Sequence, residues 1–336
     1  MTGSGILAAA TLAITAFQAA PPPSQPQQPP QQPPAASADT ATQLDDVVVD
    51  ARSVGVMVNN FVDEVIAAPP GRGPARWDRT VCVGVANLRP VAAQQMIDRV
   101  SQIAMDVGLE PGEPGCKPNV LVVVTTDGAG MARGLAQARP LAFRPGVGGS
   151  TRGSHAFDVF RNSDRPVRWW HVSLPVDSET GAPAVRMRGE ESGPAIDGTA
   201  SRLRTTIRND LRRVFIIVDF DKAASVTFQQ LSDYVAMVAL SQVDPDAETR
   251  SYDTVLNVFD NPHAAEGLTD WDLAYLKSLY TAELNQRMPG AQDGAIGSIM
   301  TRDRTRAQQA DAAGDAPADP DPAAPPAPPE AASRPH

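Results

Sequence analysis

The stretch TVCVGVANL, Thr80 to Leu88, and the run NVLVVVT, Asn119 to Thr125, decide the fold class. Both are short apolar runs, and the second is continuous, as expected for a strand covered on both faces. The segment between them has apolar residues at helical spacing, which predicts one buried helix face formed by Met96, Ile97, Val100, Ile103, Ala104 and Val107. A strand, a crossover helix and a second strand are typical of parallel pairing. The sequence therefore predicts an α/β fold with a mixed, mostly parallel sheet and packed helices.

Further elements follow toward the carboxyl end. Apolar runs predict strands at Val167 to Leu174 and Val214 to Phe220, and a helix is predicted from Thr227 to Gln242. The residues Thr269-Asp270-Trp271-Asp272 have the S/T-x-x-D/E form of a capping box, so a last helix is expected to begin there.

The first residues have the pattern of an export signal. An apolar run from Ile6 to Phe17 is too short to cross a membrane and is followed by Gln18-Ala19-Ala20 and then proline. We therefore predict a signal peptide at residues 1–20 and a periplasmic or secreted mature protein that is not integral to the membrane.

Composition divides the remaining chain into three parts. Residues 21–76 are predicted to be a Pro/Gln-rich disordered spacer that carries a short amphipathic segment at 53–67. Residues 77–288 are predicted to form one globular α/β domain, because large apolar side chains are concentrated there. The Ala/Pro/Asp-rich residues 289–336 are predicted to be a disordered tail.

The chain has two cysteines, Cys82 and Cys116. If the first two predicted strands are parallel neighbours, both cysteines lie near the same end of the sheet. We expect them to form a disulfide, which an exported protein tolerates. The alternative is a pair of buried thiols.

Charge argues against nucleic acid as a partner. The formal net charge is −10 and the pI is about 4.9, whereas proteins that bind nucleic acid usually present a basic surface. The basic residues from Arg202 to Arg213 have no interleaved aromatic residues, and we interpret them as a solvated face.

Catalytic and metal-binding motifs do not occur in the sequence. The four histidines, at 155, 171, 263 and 336, are too far apart for the HExxH pattern, in which two imidazoles on one helix face bind zinc. No G-x-S-x-G nucleophile elbow is present either. The sequence thus predicts no catalytic residue, no metal site and no cofactor.

Two segments nevertheless resemble a known family. They are QLSDYVAMVALSQ, Gln230 to Gln242, and GLTDWDLAYLKSLY, Gly267 to Tyr280. Together with the element order, they resemble the metzincin-type zinc metallopeptidases, and more closely an uncharacterised secreted bacterial family thought to share that fold.

The resemblance places the zinc helix of those peptidases on the first segment. Ser232, Ala236 and Gln242 then occupy the three zinc-ligand positions, and Asp233 occupies the position of the general base. Serine, alanine and glutamine cannot replace three imidazoles, and an aspartate without a metal has no bound water to activate. The resemblance therefore implies a degenerate peptidase-like fold without zinc. The simpler reading of the segment is a buried helix at core spacing.

Three functional hypotheses remain at this point. The first is a non-catalytic binding or scaffold protein of the cell envelope, whose partner is an envelope protein or an extended peptide added to the edge strand at Trp169, Trp170 and His171. Because successive side chains alternate faces, one tryptophan is expected in the core and the other on the surface. The second is a peptidase-like hydrolase whose unrecognised site unites Asp233 with His171. The third is that Asp45 to Ala51, which resembles a TonB box, pairs as a strand with a partner.

Overall fold

The computed structural model describes residues 42–146, 152–192 and 202–314. The predicted signal peptide, the proline-rich segment up to residue 41 and the tail from residue 315 lie outside these ranges. The chain divides into a unit of residues 1–44 and a second unit of residues 45–336, and all strands given below belong to the second. Within the described ranges, no helix is both long enough and apolar enough to cross a bilayer.

The main sheet confirms the predicted α/β class. Strands β2 (Val83–Ala86), β4 (Val120–Thr125) and β6 (Ile207–Asp219) are parallel, and β5 (Val167–Asp177) runs antiparallel beside β6. The order across the sheet is β2-β4-β6-β5. The short strands β1 (Thr80–Val81) and β3 (Glu110–Pro111) form a separate parallel pair.

Helices cover both faces of this sheet, as the continuous apolar strands require. On one face α2 (Pro90–Asp106), α6 (Phe228–Leu240) and α7 (Asp270–Thr281) enclose the larger core, which includes Val120, Val122 and Val124 of β4. On the other face a smaller core lies beneath three short helices, namely α3 (Gly128–Ala138), α4 (Pro140–Phe143) and α5 (Gly153–Asn162).

The first helix lies within the segment that the sequence predicts to be a disordered spacer. Helix α1 (Thr42–Val65) buries Val58, Phe61, Val62 and Val65 completely or nearly so in the larger core. The amphipathic pattern at 53–67 therefore marks a core helix rather than part of a disordered segment. Residues 45–51 lie in the same helix, and their pairing as a strand with a partner stays a prediction.

The carboxyl end needs the same correction. Helix α8 (Pro289–Gly314) places Ile296 and Met300 in the larger core, both fully buried. The alanine, glycine and aspartate content of this segment suggests disorder, but Ile296 and Met300, one turn apart, pack it against the core together with Ala295 and Ile299. The folded domain thus extends beyond the predicted limits of 77 and 288 at both ends.

The predicted disulfide is confirmed. Cys82 and Cys116 are bonded, with 6.2 Å between their Cα atoms. The adjacent parallel pair Val83 and Val120 brings them together. Asn119 supports the junction, because its side chain accepts from the backbone N–H of Cys82 and donates to the carbonyl oxygen of Thr80.

Removal of this disulfide is expected to lower stability markedly. The two cysteines are 34 residues apart, and closing a loop of that length stabilises a domain by about 3–4 kcal/mol in the chain-entropy model. The double variant Cys82→Ala/Cys116→Ala should show this loss in urea unfolding. Equal stability with the oxidised wild-type protein would contradict the expectation, and dithiothreitol should destabilise the wild type but not the variant.

Candidate functional site

The residues at the zinc-ligand positions of the resemblance are used to hold the structure together. Ser232 Oγ donates to the carbonyl oxygen of Phe228 over 2.7 Å, which is one turn back in α6. Ala236 is fully buried in the larger core. Gln242, after the end of the helix, accepts from the backbone N–H of Ala75 over 3.1 Å. These three side chains do not point to a common ligand.

Asp233, at the general-base position, is a buried structural carboxylate. It forms an ion pair with Arg99 of α2 and accepts from Gln229 Nε2 and the backbone N–H of Leu268, each over 2.9 Å. Its side chain is 1% exposed. Gly267 is required beside it, because a Cβ there would lie 2.3 Å from Asp233 Oδ2. Asp233 therefore connects α6 to α2 and to Leu268, just before α7.

His171 and Asp233, which the hydrolase hypothesis brings together, are each bound to other partners. His171 Nε2 lies 2.8 Å from the carbonyl oxygen of Val238, and burial lowers the pKa of His171 to about 4. Its imidazole is therefore neutral at pH 7 and donates to the backbone of α6. His263 is exposed. Among the described residues, no three His, Cys, Asp or Glu side chains are grouped as a metal ion would require.

The structure places β5 at the edge of the sheet, but both tryptophans are buried. Trp169 belongs to the larger core and its Nε1 donates to the carbonyl oxygen of Val243 over 2.9 Å. Trp170 belongs to the smaller core and donates to the carbonyl oxygen of Phe143 over 3.0 Å. The alternation of faces is as expected, whereas the expectation that one ring is exposed is wrong.

A segment that follows α6 contributes to the burial of Trp169. Residues Val243–Asp246, called here the edge segment, pair through their backbone with the end of α1, where the N–H of Asp244 donates to the carbonyl oxygen of Val65, and they contact β5 at Trp169. Two ion pairs hold the segment, Arg152 with Asp244 over 2.6 Å and Arg165 with Asp246 over 2.5 Å. The side chain of Trp169 is therefore covered by the protein's own chain.

A pocket of about 180 Å³ lies between the edge segment, the start of β5 and α6. We call it the aromatic pocket, because Trp169, Tyr234 and Phe259 line it. The Tyr234 ring lies edge-on to both neighbours, with centroid distances of 6.0 Å to Trp169 and 4.9 Å to Phe259. Val167 and Leu256 add apolar surface.

The aromatic pocket also offers a polar group. The hydroxyl of Tyr234 has no hydrogen-bond partner among the residues that the structure describes. Burial raises the pKa of Tyr234, so the hydroxyl remains protonated and able to donate. Charged side chains complete the lining, namely Arg165, Asp244, Glu248, Arg250 and Asp260.

A second cleft, of about 240 Å³, is lined in part by arginines of the cluster noted in the sequence. Its arginines are matched by acids. Arg204 pairs with Glu283 over 2.7 Å, and Arg208 pairs with Asp78 and Asp210. The net charge of the cleft is thus close to zero. The aromatic pocket is the better candidate for a ligand site, because ligand sites generally combine apolar surface with a few available polar groups.

The described chain is therefore an α/β protein with a disulfide, helices on both sheet faces and an aromatic pocket beside the edge strand. It matches no protein-family model, and neither the curated proteins nor the solved structures contain a significant match. The resemblance to the metzincin type consequently rests on the two sequence segments quoted above.

Sequence reasoning missed the aromatic pocket. Tyr234 and Phe259 are 25 positions apart and belong to different elements, so periodicity within either element marks them only as core residues. The available signal was Tyr234 itself, because a tyrosine in the middle of a buried helix has a hydroxyl that needs a partner.

Proposed function

We propose that this chain is an exported, non-catalytic binding protein of the cell envelope whose aromatic pocket takes an apolar side chain of an extended peptide. The aromatic pocket is the observation that carries the proposal. Its volume of about 180 Å³ is below the roughly 300 Å³ at which sites for whole small molecules begin. It is therefore better suited to one side chain of a longer ligand.

The position of the pocket supports a peptide as that ligand. Arg165 and Pro166, just before β5, and Val167, its first residue, line it, so a chain that inserts a side chain there also passes the end of the edge strand. The polar lining contains carboxylates, which accept hydrogen bonds, and guanidinium groups, which donate them. These groups can bind the N–H and C=O groups of a peptide backbone.

The structural roles of the α6 residues support binding rather than cutting. A peptidase of the type that the sequence resembles needs a zinc ion and a water-activating carboxylate in its helix. Here Asp233 is already paired with Arg99 and with a backbone N–H. The bonded cysteines and the predicted signal peptide support an envelope or extracellular location.

The proposal is tested by selection from a library of random heptapeptides with the immobilised full-length protein. We expect the selected sequences to share one aromatic or branched aliphatic residue and to be recovered intact by mass spectrometry. A selection that gives no shared residue contradicts peptide binding. Recovery of cleaved peptides, in buffer or with added zinc, would support the hydrolase hypothesis instead.

Tyr234→Phe is expected to weaken the binding of a selected peptide by about two- to twelvefold, because it removes one hydrogen bond of about 0.5–1.5 kcal/mol and leaves the ring. Tyr252→Phe is the matched control, since its ring packs on Phe61 and Trp271 and does not line the pocket. Isothermal titration calorimetry measures both affinities. An equal loss in the two variants would contradict a role for the Tyr234 hydroxyl.

A further inference from the structure

The chain that follows α8 is rich in proline. It lies outside the described ranges, and its sequence includes PAAPPAPPE at residues 322–330, called here the proline segment. Proline fixes the backbone near the polyproline II conformation, an extended helix with three residues per turn. Because Pro322, Pro325 and Pro328 are spaced by three, they share one face of such a helix.

The aromatic pocket has the features of a site for a polyproline II segment. The rings of Trp169, Tyr234 and Phe259 line it in edge-on contact, with centroid distances of 6.0 Å and 4.9 Å from Tyr234 to its two neighbours. Phe259 and Leu256 are only half-buried, so the pocket is reached from the surface. Proline-rich segments bind in grooves that are lined by aromatic side chains, and the walls of this pocket are of that kind.

The hydrogen-bonding groups of the pocket and the proline segment are complementary. A polyproline II helix has no internal hydrogen bonds and its prolines have no N–H, so the segment presents mainly carbonyl acceptors. The hydroxyl of Tyr234 is a donor without a partner in the described part of the chain. Arg250 also lines the pocket and pairs with Asp260 over 3.2 Å, yet 73% of its side chain is exposed. Its guanidinium therefore retains donors for a carbonyl oxygen.

Measured contacts connect α8, which precedes the proline segment, to the pocket. The guanidinium of Arg304 lies 5.1 Å from the ring centroid of Trp271, and that ring stacks on Tyr252 with 5.8 Å between centroids. The backbone N–H of Tyr252 donates over 3.0 Å to the carbonyl oxygen of Thr249, which lines the pocket. Helix α8 thus passes within three contacts of the aromatic pocket.

The chain after Arg304 is long enough to return to the pocket. Helix α8 continues to Gly314, and these ten residues carry the chain about 15 Å beyond Arg304. From Gly314 to Pro328 there are fourteen further residues, which span about 43 Å in the polyproline II conformation. After the return along the helix, about 28 Å remain to cross Trp271 and Tyr252.

We propose that the proline segment occupies the aromatic pocket of its own chain when no other peptide is bound, so that an incoming peptide must displace it. This inference rests on the proposed function of the pocket and adds its regulation. Attachment to the same chain gives the segment a local concentration on the order of millimolar. A contact of only a few proline rings is therefore populated, and a peptide that inserts a larger apolar side chain competes with it.

The first test compares amide spectra of ¹⁵N-labelled full-length proteins without any added peptide. Replacement of the four prolines in the proline segment should shift the signals of Tyr234, Leu256 and Phe259, because the pocket loses its occupant. The matched control replaces four prolines of the other proline-rich stretch and should leave these signals unchanged. The two variants are Pro325→Ala/Pro326→Ala/Pro328→Ala/Pro329→Ala and Pro29→Ala/Pro30→Ala/Pro33→Ala/Pro34→Ala. Unchanged signals in the first variant, or equal shifts in both, would overturn the proposal.

Dilution separates the same chain from a second copy as the source of the segment. An intramolecular contact does not depend on protein concentration, so the difference between the wild type and the first variant should persist when both samples are diluted. A difference that disappears on dilution would show that the segment comes from another molecule and would overturn the assignment.

Calorimetry with a selected heptapeptide separates this inference from the proposed function. The first variant should bind the peptide about three- to tenfold more tightly than the wild type, because the tethered competitor is lost. Equal affinities would overturn the role of the proline segment and leave peptide binding intact. If selection gives no peptide but the spectral shifts at Tyr234 occur, the segment is confirmed as the occupant and the binding of other peptides is contradicted.

Discussion

Replacement of Phe61 by alanine is expected to lower the free energy of unfolding by about 3–5 kcal/mol, the usual loss for a buried phenylalanine. Phe61 lies in α1, is fully buried, and has its ring centroid 5.0 Å from that of Tyr252 and 5.5 Å from those of Trp271 and Tyr275. Alanine would remove three edge-to-face contacts and leave a cavity that rigid neighbouring rings fill poorly. Urea unfolding followed by circular dichroism measures the loss.

The matched control is Val56→Ala on the opposite, exposed side of α1, where 61% of the residue is accessible. Its effect should remain within about 0.5 kcal/mol. A small effect at both positions would mean that α1 is not part of the folded core and that the domain begins after it. A large effect at Phe61 alone supports the extended boundary.

Asp233→Ala is expected to lower the free energy of unfolding by about 2–4 kcal/mol, since it removes a buried carboxylate from an ion pair and leaves two partly buried hydrogen bonds without their acceptor. The backbone N–H of Leu268 and the Gln229 amide both lose their acceptor. Arg99 loses less, because 34% of its side chain is exposed and water can replace the carboxylate. Urea unfolding measures the change.

Asp98→Ala is the control for Asp233→Ala. Asp98 is exposed on α2 and accepts from Gln94 one turn earlier, so its loss should change stability by less than about 0.5 kcal/mol. Metal analysis of the purified wild-type protein separates the two readings of Asp233. Stoichiometric zinc that disappears in Asp233→Ala would contradict the structural role and the non-catalytic proposal.

Local patterns in the sequence were sufficient to predict most of the fold. Thr269 accepts from the backbone N–H of Asp272 as the capping box predicts, and the parallel pairing of β2 with β4 brings Cys82 to Cys116 as expected. Such features depend on short-range geometry or on one crossover connection, and both can be inferred from spacing.

Features that depend on distant contacts were not predictable in this way. Helix α8 has few apolar residues, and only its docking through Ile296 and Met300 shows that it belongs to the core. Likewise, the burial of Trp169 depends on Val243, which follows a different helix. The aromatic pocket arises from the same long-range packing, so composition and periodicity could identify its residues only as apolar.

The most direct test of the account is an NMR titration of the ¹⁵N-labelled protein with a selected heptapeptide, with the mass of the peptide measured before and after. We predict that the largest shifts lie at Tyr234, Leu256 and Phe259, and that the peptide mass does not change. Shifts centred on the cleft at Arg208, or cleavage of the peptide, would contradict the account.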